Sequence, residues 1–194
     1  MRVILASNNE NKLREMQQIL SPLGWEILRQ KDAKLHLDPD ENGETFEDNS
    51  RIKAEAVMQA SGLPAIADDS GVSVDALNGA PGVHSARYGG AACNTDEDRN
   101  QFLLKNMEQV PDGSRGAKFV SVITMAYPDG RIVSARGELA GEILRQEQGN
   151  GGFGYDPLFY IPAEGCTMAE LTPERKNEIS HRAVALQNFV NQLR

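Results

Sequence analysis

Short apolar runs alternate with amphipathic stretches along this chain, a rhythm that predicts an α/β fold. Residues 2–6 read as a buried strand ending in the loop and cap residues Ser7-Asn8-Asn9. Leu13, Met16, Ile19 and Leu20 then recur at helical spacing until Pro22 and Gly24 close the helix. Residues 25–28 predict a second strand. Thr45-Phe46-Glu47-Asp48 has the form of a capping box opening a helix to about Ser61. A strand over 63–67 is expected to end at Asp68-Asp69-Ser70-Gly71, with a second short strand around Val72 and Val74. Residues 78–90 read as glycine-rich loop. Thr95 and Asp98 offer another capping box, with Phe102, Leu103 and Met107 as the apolar stripe behind it.

The second half continues the alternation. Residues 119–127 and 131–143 flank Pro128-Asp129-Gly130, a hairpin signal that makes the sheet mixed rather than purely parallel. A glycine-rich loop over 149–154 precedes a strand at 158–161. Thr172-Pro173 and Ser180 open the last two helices, the final one with Leu186, Phe189, Val190 and Leu193 inward. No repeat or linker interrupts the pattern, so residues 1–194 are expected to form one domain.

Composition narrows the class. The 194 residues are 40% hydrophobic and 25% charged, a globular rather than disordered balance. The net charge of −8 argues against non-specific binding to nucleic acid, which needs a basic face. Most of that charge lies in residues 32–48, which hold seven acidic side chains and one basic one. No apolar run approaches the roughly 20 residues that span a bilayer. The N-terminal run meets Ser7 too soon for a signal-peptide core. Cys93 and Cys166 are the only cysteines, so no disulfide framework is expected. A cytoplasmic protein without a membrane or nucleic-acid partner is the expectation.

Five segments carry candidate chemistry. Ser7-Asn8-Asn9-Glu10-Asn11-Lys12 is a strand–loop–helix turn, where free backbone N–H groups and Lys12 would attract an anion. A capped helix with a solvated lysine accounts for the same residues. The chain has no Gly-Lys dipeptide, which excludes a Walker loop. Asp68-Asp69 offers hard oxygen ligands suited to Mg²⁺ and phosphate, or simply an Asx turn. On the helix of residues 45–61, Asn49 and Lys53 share a face with Phe46, Val57 and Ala60. A lysine there either snorkels out or faces a counter-ion. Glu41, upstream, could add another metal oxygen.

The run from Gly149 to Pro157 contains a glycine spacing like a dinucleotide fingerprint, yet a proline and a strand follow where a helix should begin. What remains is a flexible backbone carrying Phe153, Tyr155 and Asp156, able to sandwich a flat ring and read its edge. Lys176, Ser180, His181 and Arg182 cluster donors near a helix start. Zinc spacing and hydrolase nucleophile elbows are both absent.

Taken together, the segments resemble the inosine triphosphate pyrophosphatase family, in its bacterial dITP/XTP branch. The matching pieces are the turn from Ala6 to Lys12, Glu44 to Asn49, Ala67 to Gly71, Ala80 to Tyr88, Gly151 to Pro157, and Ser180-His181-Arg182. They occur in family order across nearly the whole chain. The resemblance implies an elongated, two-lobed α/β domain with the active site in the cleft between lobes, usually a homodimer. It implies Mg²⁺-dependent conversion of ITP, dITP or XTP into monophosphate and pyrophosphate, clearing deaminated purines. By motif, Ser7, Asn8, Asn9, Glu10, Asn11 and Lys12 should hold the phosphates, with Lys53 and Ser70 beside them. Asp69 should be the general base, and Asp69 with Glu41 should hold the metal. Phe153, Gly154, Tyr155, Asp156, Lys176, His181 and Arg182 should surround the nucleoside. Asn8 stands where many relatives place glycine; at positive φ, asparagine would be the least costly replacement.

Oxo purines present an acceptor at O6 and a donor at N1, the reverse of adenine. Arg182 or His181 is expected to donate to O6, leaving adenine with unpaired buried groups, a penalty capable of roughly 10⁴-fold discrimination. Two alternatives remain open at this stage: a Maf-like pyrophosphatase acting on modified nucleotides, and a nucleotide sensor without turnover.

Overall fold

The computed structural model describes residues 1–193. Seven strands form one mixed sheet, in the order β2-β1-β3-β4-β5-β6-β7. In chain order they are β1 Arg2–Leu5, β2 Glu26–Arg29, β3 Ala65–Val74, β4 Gly116–Ala126, β5 Ile132–Ile143, β6 Phe159–Ile161 and β7 Cys166–Thr167. The α-helices are α1 Glu10–Leu20, α2 Phe46–Ser61, α3 Asp96–Asn106, α4 Pro173–Ile179 and α5 His181–Gln192. Strand β1 pairs in parallel with β2 and β3, whereas β6 pairs antiparallel with both β5 and β7. The expected hairpin turn joins β4 to β5, with Tyr127 N–H donating to the Arg131 carbonyl at 2.9 Å.

Internal packing divides the chain into two compact units. The first comprises Met1–Asp69, Ser121–Gly137 and the chain from Ser180; the second comprises Ser70–Val120 and Glu138–Ile179.

In the first unit, alternation along β1 and β3 sends side chains to two separate cores. Val3, Leu5 and Ile66 meet Leu13, Met16 and Leu20 of α1 and Leu186 and Phe189 of α5. Ile4, Ala6, Ala65 and Ala67 meet Ala54 and Val57 of α2. Burial on both faces explains why these strands read as continuous apolar runs. The second core is built largely of alanines, so α2 can pack close to β3, and this brings Lys53 alongside it. Gly137 on β5 does the same for α5: a Cβ there would collide with the backbone of His181 and Ala185.

The second unit packs Val72 and Val74 of β3 against Leu103 and Met107 of α3, with Phe119, Ile143 and Phe159. The Phe119 and Phe159 rings lie 4.2 Å apart between centroids. Capping boxes form at Thr45/Asp48 and Thr95/Asp98 as the sequence predicts. Ser180 Oγ caps α5 by accepting the Ala183 N–H at 3.1 Å.

One expectation is overturned here. Asp68-Asp69-Ser70-Gly71 is not a turn between two strands but the middle of a single ten-residue strand, β3. The polar pair survives inside a sheet because Lys12, Arg182 and Ser121 engage Asp68 and Lys53 engages Asp69. Residues 82–87, read as loop, also contain a 3₁₀ helix.

Candidate functional site

Successive side chains on a strand point to opposite faces, so the adjacent aspartates of β3 have different neighbours. Asp68 is buried at 1% exposure, and its carboxylate is fully engaged. Oδ1 accepts from Ser121 Oγ at 2.6 Å; Oδ2 accepts from Arg182 Nη2 at 3.0 Å and faces Lys12 Nζ at 2.8 Å. Burial alone would raise its pKa, but Arg182 and Lys12 outweigh burial and hold the carboxyl well below the usual range. Arg182, equally buried, also donates to Glu15 on α1.

Asp69 faces α2. Its Oδ1 accepts from Lys53 Nζ at 2.8 Å, and the same ammonium lies 3.2 Å from Glu41 Oε1 and 3.1 Å from the Asp68 carbonyl. Asp69 Oδ2 is buried and has no hydrogen-bond partner. Burial pushes the Asp69 carboxyl above the ordinary aspartate value, with Lys53 pulling the other way. It is therefore a stronger base than a solvated aspartate. For Lys53, burial opposes the charge, but Asp69 and Glu41 together raise its pKa. Burial lowers the pKa of Lys12, with Asp68 acting against that shift. Asn49, one turn before Lys53, accepts the Gly43 N–H at 2.8 Å and so anchors the loop that carries Glu41.

The turn before α1 differs from its expected form. Asn9 is the N-cap, and its own Oδ1 accepts the Asn11 and Lys12 N–H groups at 2.9 and 3.2 Å. Two of the helix donors expected to face an anion are thus engaged by the cap. Asn8 is not at positive φ; among the described residues only Lys34 and Asn78 are non-glycine residues there. Asparagine at position 8 is unstrained. Beside this turn lies a cavity of about 250 Å³ lined by Ser7, Asn8, Asn9 and Glu10, and by Arg29, Lys31 and His36. Sequence reading missed those last three, which carry no spacing signal.

The second unit gathers its own cluster. Lys176 Nζ lies 2.7 Å from Asp156 Oδ2 and 4.8 Å from the centre of the Phe153 ring. Asp156 Oδ2 also accepts the Phe153 N–H at 3.0 Å. Gly152 is required at its position, since a Cβ would strike that carboxylate. Tyr155 turns away from this group and donates its hydroxyl to the Ser85 carbonyl at 2.7 Å. Ser70 follows Asp69 on β3 and is half-buried.

Residues 3–192 match the family model described as the Ham1 family. The chain belongs to the Ham1 family. It is 50% identical over 187 residues to a dITP/XTP pyrophosphatase of Thermus thermophilus, covering 96% of this chain and 89% of that protein. A Haemophilus ducreyi protein of the same name is 48% identical, over 99% of this chain and 98% of its own length. Among solved structures, a HAM1 protein from Coxiella burnetii superposes with a TM-score of 0.90 at 42% identity, covering 100% of this chain and 98% of that one.

Within this Ham1 chain, the first unit offers Asp69 and Glu41 as oxygen donors of the kind a hard divalent cation takes. No group of three or more His, Cys, Asp or Glu side chains placed to hold a metal occurs among the described residues. Asp69 presents a buried carboxylate oxygen without a partner, and Glu41 meets the same lysine. Four carboxylates (Glu15, Glu41, Asp68, Asp69) stand against three cations (Lys12, Lys53, Arg182), leaving one negative charge in excess. Oxygen ligands with residual negative charge are what Mg²⁺ selects. Arg182, expected beside the nucleoside, has its guanidinium on Asp68 and Glu15. A signal for Glu15 was available, because it follows Lys12 by three residues on α1.

Proposed function

We propose that this chain is a dITP/XTP pyrophosphatase, hydrolysing ITP, dITP and XTP to the nucleoside monophosphate and pyrophosphate. The names of its relatives support the substrate class. The observation that carries the chemistry is Asp69, a buried carboxylate with one oxygen on Lys53 and the other unpartnered.

Water attacks the α-phosphorus, the bond to the bridging oxygen breaks, and pyrophosphate leaves. Asp69 takes the proton from the attacking water, a role its raised pKa favours. Lys53 holds Asp69 in place. Lys12 and the turn from Ser7 to Asn11 bind phosphate oxygens, and Ser70 supports them. Asp69 and Glu41 would hold Mg²⁺, which when bound offsets phosphate charge in the transition state. The Phe153 ring offers a stacking face for a purine, while Asp156 and Lys176 offer an acceptor and a donor to its edge. By the family pattern, Gly154, Tyr155, His181 and Arg182 complete the nucleoside contacts.

The two units are proposed to act as one pyrophosphatase domain, in a cytoplasmic homodimer with no nucleic-acid or membrane partner. The acidic net charge supports the lack of a nucleic-acid partner. Among the described residues, no helix is long and apolar enough to cross a membrane.

The test is pyrophosphate release from ITP, XTP, dITP, GTP and ATP with Mg²⁺, for the parent protein and Asp69→Asn. Turnover should favour the oxo purines over ATP, and Asp69→Asn should lower kcat by about 10²–10⁴-fold. Tight ITP binding without turnover in the parent protein would make it a sensor instead. Preference for modified pyrimidine nucleotides would point to Maf-like activity.

A further inference from the structure

The loop that carries Phe153 and Asp156 is tied to α3 at Gly154. Asp96 and Asn100 stand one turn apart on α3, so their side chains share a face. Both reach Gly154. Asp96 Oδ2 accepts the Gly154 N–H at 2.7 Å, and Asn100 Nδ2 donates to the Gly154 carbonyl at 3.1 Å. Asp96 is oriented in turn by Arg99 at 2.7 Å, and Arg99 also reaches the Cys93 carbonyl. Asn100 is only 2% exposed, so its amide is a buried donor rather than a surface contact.

The loop needs such a restraint. Gly149, Gly152 and Gly154 all sit at positive φ, Gly154 at +61°. Glycine backbone has more conformational freedom to lose than any other, so a segment this rich in it does not hold its shape unaided. Gly154 is bonded directly to Phe153 and lies two residues before Asp156. Gripping the groups on both sides of its Cα fixes where the ring points and where the carboxylate meets Lys176.

We infer that Asp96 and Asn100 are positioning residues for the nucleobase: by gripping Gly154 they hold Phe153, Asp156 and Lys176 in the arrangement that receives the purine. This rests on the pyrophosphatase reading and extends it to two residues on α3 that touch no reacting atom. It separates two costs. The grip acts on the base end of the substrate and leaves the phosphate chemistry of Asp69 and Lys53 untouched.

Asn100→Ala, Asp96→Ala and Asp96→Asn test it. Titration calorimetry with inosine monophosphate and with Mg²⁺-pyrophosphate reads the two ends separately, beside KM and kcat for ITP. Asn100→Ala and Asp96→Ala should each weaken inosine monophosphate and raise KM by about 10-fold, the scale of one hydrogen bond. Pyrophosphate affinity and kcat should stay within about 2-fold. Asp96→Asn keeps an acceptor for the Gly154 N–H and should restore KM to within about 3-fold of the parent. Asp96 is exposed, so its alanine variant remains informative if Asn100→Ala does not fold. Equal loss of both ligands, or a fall in melting temperature with KM unchanged, would overturn the inference and leave the grip a support of the fold. A parent protein that neither turns over ITP nor binds inosine monophosphate would sink the pyrophosphatase reading first, and the inference with it.

Discussion

The Asp68–Asp69 cluster of the first unit and the Phe153–Asp156 loop of the second both assemble charged side chains, but they hold them by different means. The first draws its members from regular elements: β3 supplies both aspartates, α1 supplies Lys12 and Glu15, α2 supplies Lys53 and α5 supplies Arg182. Its charges fix one another. The second pairs Lys176 with Asp156 and sets it over the Phe153 ring, on a glycine-rich loop whose backbone is hydrogen-bonded to side chains of α3. Phosphate chemistry needs charges placed against a rigid frame, where reorganisation is already complete. Receiving a flat ring needs a backbone shaped more finely than a strand or helix allows, and glycine provides that shape at an entropic cost.

Within the first cluster, Asp68 and Asp69 are chemically identical neighbours with opposite pKa directions. Asp68 has two cations and a hydroxyl, which keep it charged and inert. Asp69 shares a single lysine with Glu41 and keeps one oxygen unpartnered, so burial raises it. Strand alternation produces the difference by sending one inward to Arg182 and the other towards α2. The inert member holds the frame, and the raised one is the base that the proposed mechanism uses.

If charges hold the first region, breaking one should cost more stability than any change in the second. Arg182→Met deprives buried Asp68 and Glu15 of their shared partner. Truncating one member of such a network costs about 3–5 kcal/mol, because the remaining charges stay buried. For a chain of this size the melting temperature should drop on the order of 10 °C, read by calorimetry. An unchanged melting temperature would mean that apolar packing replaces the network, and the contrast between the regions would fail.

A smaller effect of a different kind is expected from Asp156→Ala. It removes the acceptor of the Phe153 N–H and the counter-ion of Lys176. Because Lys176 keeps the Phe153 ring, stability should fall by only about 1–3 kcal/mol. The KM for ITP should rise roughly 10–100-fold with kcat less affected. Steady-state kinetics beside thermal unfolding separates the two. A stability loss as large as that of Arg182→Met would show that the second region is also a charge-held frame.

Much of this was legible in the sequence, and what was not has a physical reason. Caps at Thr45, Thr95 and Ser180 act over three residues, so local pattern reveals them. Lys53 on an apolar helical face left snorkelling and a counter-ion as the two readings, and Asp69 and Glu41 are there. The run of β3 through its two aspartates was hidden, because local chemistry reads Asp-Asp-Ser-Gly as a turn. Lys12, Lys53, Ser121 and Arg182, up to 114 residues away, make a strand tolerable there. The pairing of Arg182 with Asp68 was hidden for the same reason. Asp96 and Asn100 escaped notice because their partner is the backbone of a glycine, and a backbone contact leaves no mark on side-chain spacing.

The smallest effect concerns α3, which carries the grip on Gly154. Asp98 accepts the Asn94 and Thr95 N–H groups, both at 2.9 Å, and these bonds hold its pKa below the ordinary aspartate value. A carboxylate with a depressed folded pKa adds stability that is present above its unfolded value of about 3.9 and is lost as pH falls through the folded value. The start of α3 should therefore loosen only in that acidic window. In an NMR titration, the Asn94 and Thr95 amide shifts should move together with a midpoint below that of a solvated aspartate. The gap in melting temperature between the parent protein and Asp98→Ala should close over the same range. A midpoint at or above the ordinary value would show that the cap does not hold α3, and the second region would then need another anchor for its loop.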